Sequence, residues 1–298
     1  MADRSAPLAP GSRAQRIRDL LKADRPLVMG GVYDALSTRI AHRAGFEVLF
    51  MGGFSVAATL LGEPDFGYLT QTEMADTARR VCRLTDRPLL VDADTGYGNA
   101  LNVIRTVELY QNAGAAGLFL EDQVWPKRCG HMRGKRVVER AEWLAKLRAV
   151  LEARGARDLF LVARTDARAA VSLEEAIARG RAAYDLGADA VFIEAPESVA
   201  ELEQIARAIP GPKVANMVEH GRTPLLTPAE LHQLGFDLIV TPLAALMASA
   251  RALQDVYAIL RREGTLRGHL ERLMPFDDFN QLLELARHYE LEQRYKHE

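Results

Sequence analysis

Two cysteines in 298 residues, Cys82 and Cys129, are too few for a disulfide scaffold. One bridge is conceivable but nothing around either residue recommends it, so a reducing cytosol is the simpler setting. Neither charge is in excess: 38 Lys+Arg against 40 Asp+Glu give a formal net charge of −2. No nucleic-acid partner is expected, because counterion release needs a basic surface. Long hydrophobic runs are missing too. The charge-free apolar stretch from Leu238 to Ala250 is too short to cross a bilayer and is interrupted by Pro242. The first residues mix Asp3, Arg4, Arg13, Arg16, Arg18 and Lys22 with no apolar core, so neither a secretory signal nor a membrane role is expected. No Gly-x-Gly-x-x-Gly follows the first strand-like run, and no His-x-His or His-Glu-x-x-His occurs.

What is present is patterned. Eight short, continuously apolar runs suit strands buried on both faces: Pro26–Gly30, Glu47–Met51, Pro88–Val91, Gly117–Leu120, Leu159–Val162, Ala188–Ile193, Lys213–Asn216 and Asp237–Val240. Helical spacing fills most of the intervals, most clearly at Ala35–Ala44, Gln71–Leu84, Ala100–Ala113, Val138–Ala153, Leu173–Leu186 and Val199–Ala208. Gly45, Gly114 and Gly187 stand as stops, and Thr70, Ser172 and Thr227-Pro228 as starts. Eightfold alternation predicts a (β/α)₈ TIM barrel rather than a doubly wound sheet. The expected layout is one domain over 1–298, with a barrel core at about 24–245 and a helical extension at 246–298. A last helix is expected from Asp277/Asp278 to Arg294-Tyr295-Lys296. Trp125 and Trp143 read as packing anchors.

In a barrel the chemistry sits where the strands end. Those ends carry Asp92 and Asp94, Glu121, Arg164, Glu194 and Asn216. Acids directly after apolar strands are costly unless a cation or hydrogen bonds satisfy them. Asp92 and Asp94, two apart, would face one side of a strand. With Glu121 they make an all-oxygen set suited to Mg²⁺ or Mn²⁺. The plainer alternative is that the acids cap helices or pair with Arg164. The second feature is the loop Pro126-Lys127-Arg128-Cys129-Gly130-His131. A cysteine among Lys127, Arg128 and His131 sits in positive potential, which makes it a readier nucleophile or proton donor. Gly130 and Gly134 let the loop bend, and it could close over an anion. A solvated basic loop with an incidental cysteine is the alternative. Cys82, mid-helix, reads as core.

On Asp92-Ala93-Asp94-Thr95-Gly96-Tyr97-Gly98 and Lys127-Arg128-Cys129-Gly130-His131, the sequence resembles the isocitrate lyase/phosphoenolpyruvate mutase superfamily over nearly its whole length. The resemblance implies Mg²⁺ (or Mn²⁺) near Asp92 and Asp94, with Asp65 and Glu121 in the inner or water-bridged shell. It implies a gate at Cys129 and a small 2-hydroxy or 2-oxo acid substrate. The substrate would be met by Gly52, Gly53, Tyr33, Asp65, Gly130, Arg164, Glu194, Asn216 and Pro242. It also implies a homotetramer built from helix-swapped dimers, beside the cytoplasmic setting read from the cysteines. Many relatives carry Ser before the Gly52-Gly53 pair, where this chain has Met51. The stretches Tyr33-Asp34-Ala35-Leu36-Ser37, Glu121-Asp122-Gln123-Val124-Trp125-Pro126 and Ala215-Asn216-Met217-Val218-Glu219 resemble the 2,3-dimethylmalate lyase and petal-death-protein branch, and equally the carboxyvinyl-carboxyphosphonate phosphorylmutases. Methylisocitrate lyases share the cysteine loop. Pro242 disfavours oxaloacetate hydrolase activity.

The expected reaction is Mg²⁺-dependent cleavage of a 2-alkylmalate, such as 2,3-dimethylmalate, to a 2-oxo acid and a carboxylate. Arg164, with His131, would offset the developing charge. Cys129 would return the proton, and Glu121, Tyr33 or a bound water would be the base. Phosphonate P–C chemistry and a non-catalytic binding barrel are the rivals.

Overall fold

The computed structural model describes residues 11–130 and 134–296. His131 and Arg133 therefore lie outside the described residues. Eight parallel strands run in order around the barrel: β1 (Leu27–Gly31), β2 (Val48–Met51), β3 (Leu89–Asp92), β4 (Gly117–Leu120), β5 (Phe160–Thr165), β6 (Ala190–Ile193), β7 (Val214–Asn216) and β8 (Leu238–Thr241). β1 pairs with both β2 and β8. A single parallel bridge, Val191 to Lys213, closes the sheet between β6 and β7. The (β/α)₈ barrel is thus the fold.

The helices form where the sequence places signals. The helix Gln71–Cys82 starts on a capping box between Thr70 and Glu73, and the helix Leu173–Leu186 on Ser172. The helix Ala100–Ala113 stops at Gly114 and the helix Leu173–Leu186 at Gly187, both glycines in the left-handed conformation. The first helix, Arg13–Leu20, sends Ile17 into the barrel core, while its Arg18 clamps Asp158 and Asp189.

Strand alternation sorts the apolar residues into two layers. Met29, Phe50, Leu90, Phe119, Val162, Phe192, Val214 and Val240 fill the barrel interior. Phe119 meets Phe50 edge-on at 4.9 Å and Phe192 at 6.0 Å. The intervening residues, such as Val191, Ile193, Ala215 and Ile239, pack outward with Leu202, Ile205 and Leu231 from the helices. Each large apolar side chain so buried contributes about 1.5–3 kcal/mol.

The chain divides into two compact units, Met1–Ala244 and Ala245–Glu298. The second holds most of the helix Ala244–Glu263, then the helices Phe276–Leu282 and Leu285–Arg294. The single last helix expected from Asp277 is instead two. The amide of Glu284 bonds back three residues to Gln281, and its φ of 60° turns the chain out of the helix. Leu253, Tyr257, Leu270 and Phe276 of this unit are exposed.

Candidate active site

The inner layer continues past the strand ends, and this builds the site. Two residues beyond Phe50 is Gly52; beyond Leu90, Asp92; beyond Phe119, Glu121; beyond Val162, Arg164; beyond Phe192, Glu194; beyond Val214, Asn216; beyond Val240, Pro242. The period of two therefore stacks a polar layer directly on the apolar one. Above it opens a cleft. Its polar lining comes from Asp65, Asp92, Lys127, Arg164, Glu194 and Asn216, with Cys129 and Gly130 at the loop. Its apolar wall comes from Phe54, Val218, Pro242 and Leu243.

Met51 has the opposite parity. It is fully buried and does not line the cleft, so the expected comparison of Met51 with a pocket serine falls away: the cleft-facing position is Gly52. Gly53 and Tyr33 do not line the cleft either. The Gly53 N–H, expected to meet a substrate carboxylate, instead donates to Asp92 Oδ2 at 3.1 Å. Trp143 is a buried anchor, but Trp125 is half exposed and lies against Gly67.

Asp94 is not on the strand. β3 ends at Asp92, and the chain then passes through left-handed φ values at Asp94, Gly96 and Tyr97. The Tyr110 hydroxyl donates to the Asp92 carbonyl at 3.0 Å and pins this loop from behind. The expected cage of Asp92, Asp94 and Glu121 is correspondingly looser. Among the described residues, no three His, Cys, Asp or Glu side chains converge as a ready metal cluster. The reason is visible in the cations. Lys127 Nζ lies 2.6 Å from Asp94 Oδ1 and 2.7 Å from Asp65 Oδ1, and Arg164 Nε lies 3.3 Å from Glu121 Oε2. Each cation draws a carboxylate toward itself.

Lys127 is thus no solvated lid residue. Burial works against its charge, but Asp94, Asp92, Asp65 and Glu121 together hold the ammonium well above its usual range. The positive potential expected at Cys129 from Lys127 is largely neutralised by these acids. Burial pushes the Asp94 carboxyl up to about 7 against the pull of Lys127. Burial also raises Glu121 well above the usual carboxylate range, with Arg164 opposing and Asp166 reinforcing.

The loop is seated at several points. Gln123 holds both the N–H and the carbonyl of Arg128, at 3.0 and 2.8 Å. The Cys129 N–H donates to the Asp65 carbonyl at 3.3 Å. Arg128 stacks over Phe66. A Cβ on Gly130 would stand 2.5 Å from Glu194 Cδ and 2.6 Å from Arg164 Nη2, so a larger residue there would displace these two side chains. Arg164 is itself fixed by Asp166 at 3.1 Å and Glu194 at 3.1 Å. Asp166 stands directly after the fifth strand in the sequence, but its pairing with Lys135 is not legible there.

A sequence model of the family described as phosphoenolpyruvate phosphomutase matches residues 17–261. The chain belongs to the phosphoenolpyruvate mutase/isocitrate lyase superfamily. Within it, the chain is 50% identical to the chloroplastic carboxyvinyl-carboxyphosphonate phosphorylmutase of Arabidopsis thaliana over 291 residues, 96% of this chain and 86% of the relative. It is 41% identical to the 2,3-dimethylmalate lyase of Eubacterium barkeri, over 95% of this chain and 98% of the relative. A crystal structure of 2,3-dimethylmalate lyase superposes with a TM-score of 0.89 at 36% identity, covering 97% of this chain and 96% of that one. The chain is an enzyme of the superfamily's lyase and mutase type.

Proposed function

We propose that this enzyme is a Mg²⁺-dependent carbon–carbon lyase that splits a 2-alkylmalate, such as 2,3-dimethylmalate, into a 2-oxo acid such as pyruvate and a carboxylate. The observation that carries this reading is one cleft holding a thiol turn and a guanidinium opposite an apolar wall. Buried oxygens without a hydrogen-bond donor, Glu121 Oε1 and Oε2 and Asn216 Oδ1, join Asp92 as a hard donor set that fits a divalent ion or its waters. When bound there, the ion would polarise the C2 oxygen of the substrate.

The chain's own groups supply the rest. Glu121, at the inward position two beyond Phe119, takes the proton from the C2 hydroxyl. The C2–O electrons form the new carbonyl, the C2–C3 bond breaks, and its electron pair passes to C3 beside the leaving carboxylate. Arg164, held in place by Asp166, offsets that charge. The Cys129 thiol returns a proton to C3. Phe54, Val218 and Leu243 accommodate the alkyl groups.

Phosphonate chemistry is the second reading, favoured by the 50% identical phosphorylmutase. Among the described residues, the cations lining the cleft are Lys127 and Arg164, both already paired with carboxylates. A pyruvate-release assay over malate, 2-alkylmalates, 2,3-dimethylmalate, methylisocitrate and oxaloacetate, with and without Mg²⁺, tests the reading. Turnover is expected with the alkylmalates and Mg²⁺ only. Release of pyruvate from none of them, with rearrangement of a carboxyphosphonate seen by phosphorus NMR, would sink it. Cys129→Ser is expected to abolish cleavage while Mg²⁺–pyruvate binding survives; retained turnover would remove the thiol from the mechanism.

The assembly in this reading is a homotetramer. Leu253, Tyr257, Leu270 and Phe276, exposed in the second unit, support burial against a further copy, and light scattering is the check. The two unbridged cysteines fit the reducing cytosol.

A further inference from the structure

Lys135 does not itself line the cleft, and its ammonium is almost fully enclosed, with a side chain 2% exposed. It donates to two acceptors. One is the carbonyl of Gly130, next to Cys129. The other is Asp166 Oδ1, at 2.6 Å. The same carboxylate receives Arg164, with Nε on Oδ2 at 3.1 Å and Nη2 on Oδ1 at 3.4 Å. Asp166 is in turn fixed from behind, its N–H donating to Asp122 Oδ1 at 2.8 Å. One carboxylate therefore anchors both the turn that carries the thiol and the guanidinium that faces the cleft.

We propose that Lys135 is a positioning residue that locks the Cys129–Gly130 turn onto Arg164 through Asp166. The two groups that must act on the same substrate atom are thereby set by one joint. The same turn comes close to Arg164 and Glu194 in the cleft wall, since a Cβ on Gly130 would stand 2.5 Å from Glu194 and 2.6 Å from Arg164. A buried ammonium facing one carboxylate and one carbonyl makes charge-assisted bonds, which are the strong ones. The consequence for turnover rests on the lyase reading; the consequence for the turn does not.

The experiment therefore has two readouts. The first is alkylation of Cys129 by iodoacetamide in the full-length protein without substrate, followed by peptide mass analysis, which separates it from buried Cys82. Rates are compared on the high-pH plateau, where the thiol is fully ionised, so that a change in its acidity does not imitate exposure. Lys135→Met is expected to raise that rate about ten-fold or more, the change one lost charged hydrogen bond brings to an opening equilibrium. Lys135→Arg, which keeps the charge and the donors, is expected to stay within about three-fold of wild type. The second readout is turnover of the alkylmalate. Lys135→Met should lower kcat about a hundred-fold with KM little changed, as misplacement of a reacting group by about 1 Å does.

Wild-type alkylation in a folded Lys135→Met protein would overturn the proposal whatever the substrate proves to be. Lys135→Gln is the milder variant, should the methionine variant fail to fold. If neither folds, Lys135 serves the fold rather than the turn, and the proposal fails. Faster alkylation with no alkylmalate turnover in wild type would retain the joint and reject the lyase reading.

Discussion

Glu121 and Asp122 follow one another at the end of β4, are both almost fully buried, and live in opposite surroundings. Glu121 points inward. Neither of its oxygens receives a hydrogen bond, and its ion pair with Arg164 is off-axis at 3.3 Å. Asp122 points outward to the helices. Its Oδ1 accepts from the Asp166 N–H, and its Oδ2 accepts from Thr165 and, at 3.1 Å, from Arg179 on the helix Leu173–Leu186. A buried acid with both oxygens engaged is scaffold; one left hungry is a place for a ligand or a proton. The difference comes from a single step along a strand, and it separates what holds this barrel from what works in it.

The comparison breaks most visibly under paired substitutions. Arg179→Met would leave Asp122 as an uncompensated buried charge, which costs about 3–5 kcal/mol of stability. Denaturant titration reads that loss, and turnover per folded molecule should stay near wild type. Glu121→Gln should do the reverse. It replaces a buried carboxyl whose oxygens accept no hydrogen bond, so stability is kept or gained, while kcat/KM falls about 10²–10⁴-fold, the share of a general base. Unfolding by Glu121→Gln together with indifference to Arg179→Met would reverse the assignment.

Acidity sharpens it further. Burial, with the charge of Asp166, pushes Asp122 up to about 6 from 3.8 despite its hydrogen bonds. An acid whose folded-state pKa is raised contributes stability below its unfolded pKa and loses it as pH rises through the folded one. The stability of wild type relative to Asp122→Asn should therefore decline between about pH 4 and pH 6. Denaturation curves of both proteins across that window check the sign. A difference that grows with pH would mean that Thr165, Asp166 and Arg179 outweigh the burial.

Much of this is legible in the sequence, and the limits have physical causes. The eight strands and the capped helices are readable because apolar runs, Thr70, Ser172 and the glycine stops act locally. The polar strand ends are readable as candidate residues. Their pairing is not, because Lys127 reaches Asp65 and Asp94 across 62 and 33 positions of chain, and no local pattern encodes that. Asp94 departs from the expected strand geometry because its φ of 47° lies outside it. Lys135 stays hidden because a lysine in a polar loop looks solvated until the fold closes around it. The inward parity of Gly52 over Met51 is readable from Phe50 and Phe54, though only once the barrel interior is known to be Phe50's side.

That last pair gives the smallest effect and an independent check on the parity argument. Met51 is fully buried among the outward layer, while Gly52 faces the cleft. Met51→Leu conserves volume and should cost less than about 1.5 kcal/mol. It should leave kcat/KM within about two-fold of wild type, since a side chain on the helix side of β2 reaches no substrate atom. Gly52→Ala adds a methyl that would stand 3.0 Å from the Phe50 ring in the cleft, and should raise KM without lowering stability comparably. Steady-state kinetics beside melting curves read both. Loss of turnover in Met51→Leu at unchanged stability would put Met51 on the inner face. Glu121 and Asp122 would then have to exchange sides as well, since one period of two, carried across the register of β2, β3 and β4, sets them all.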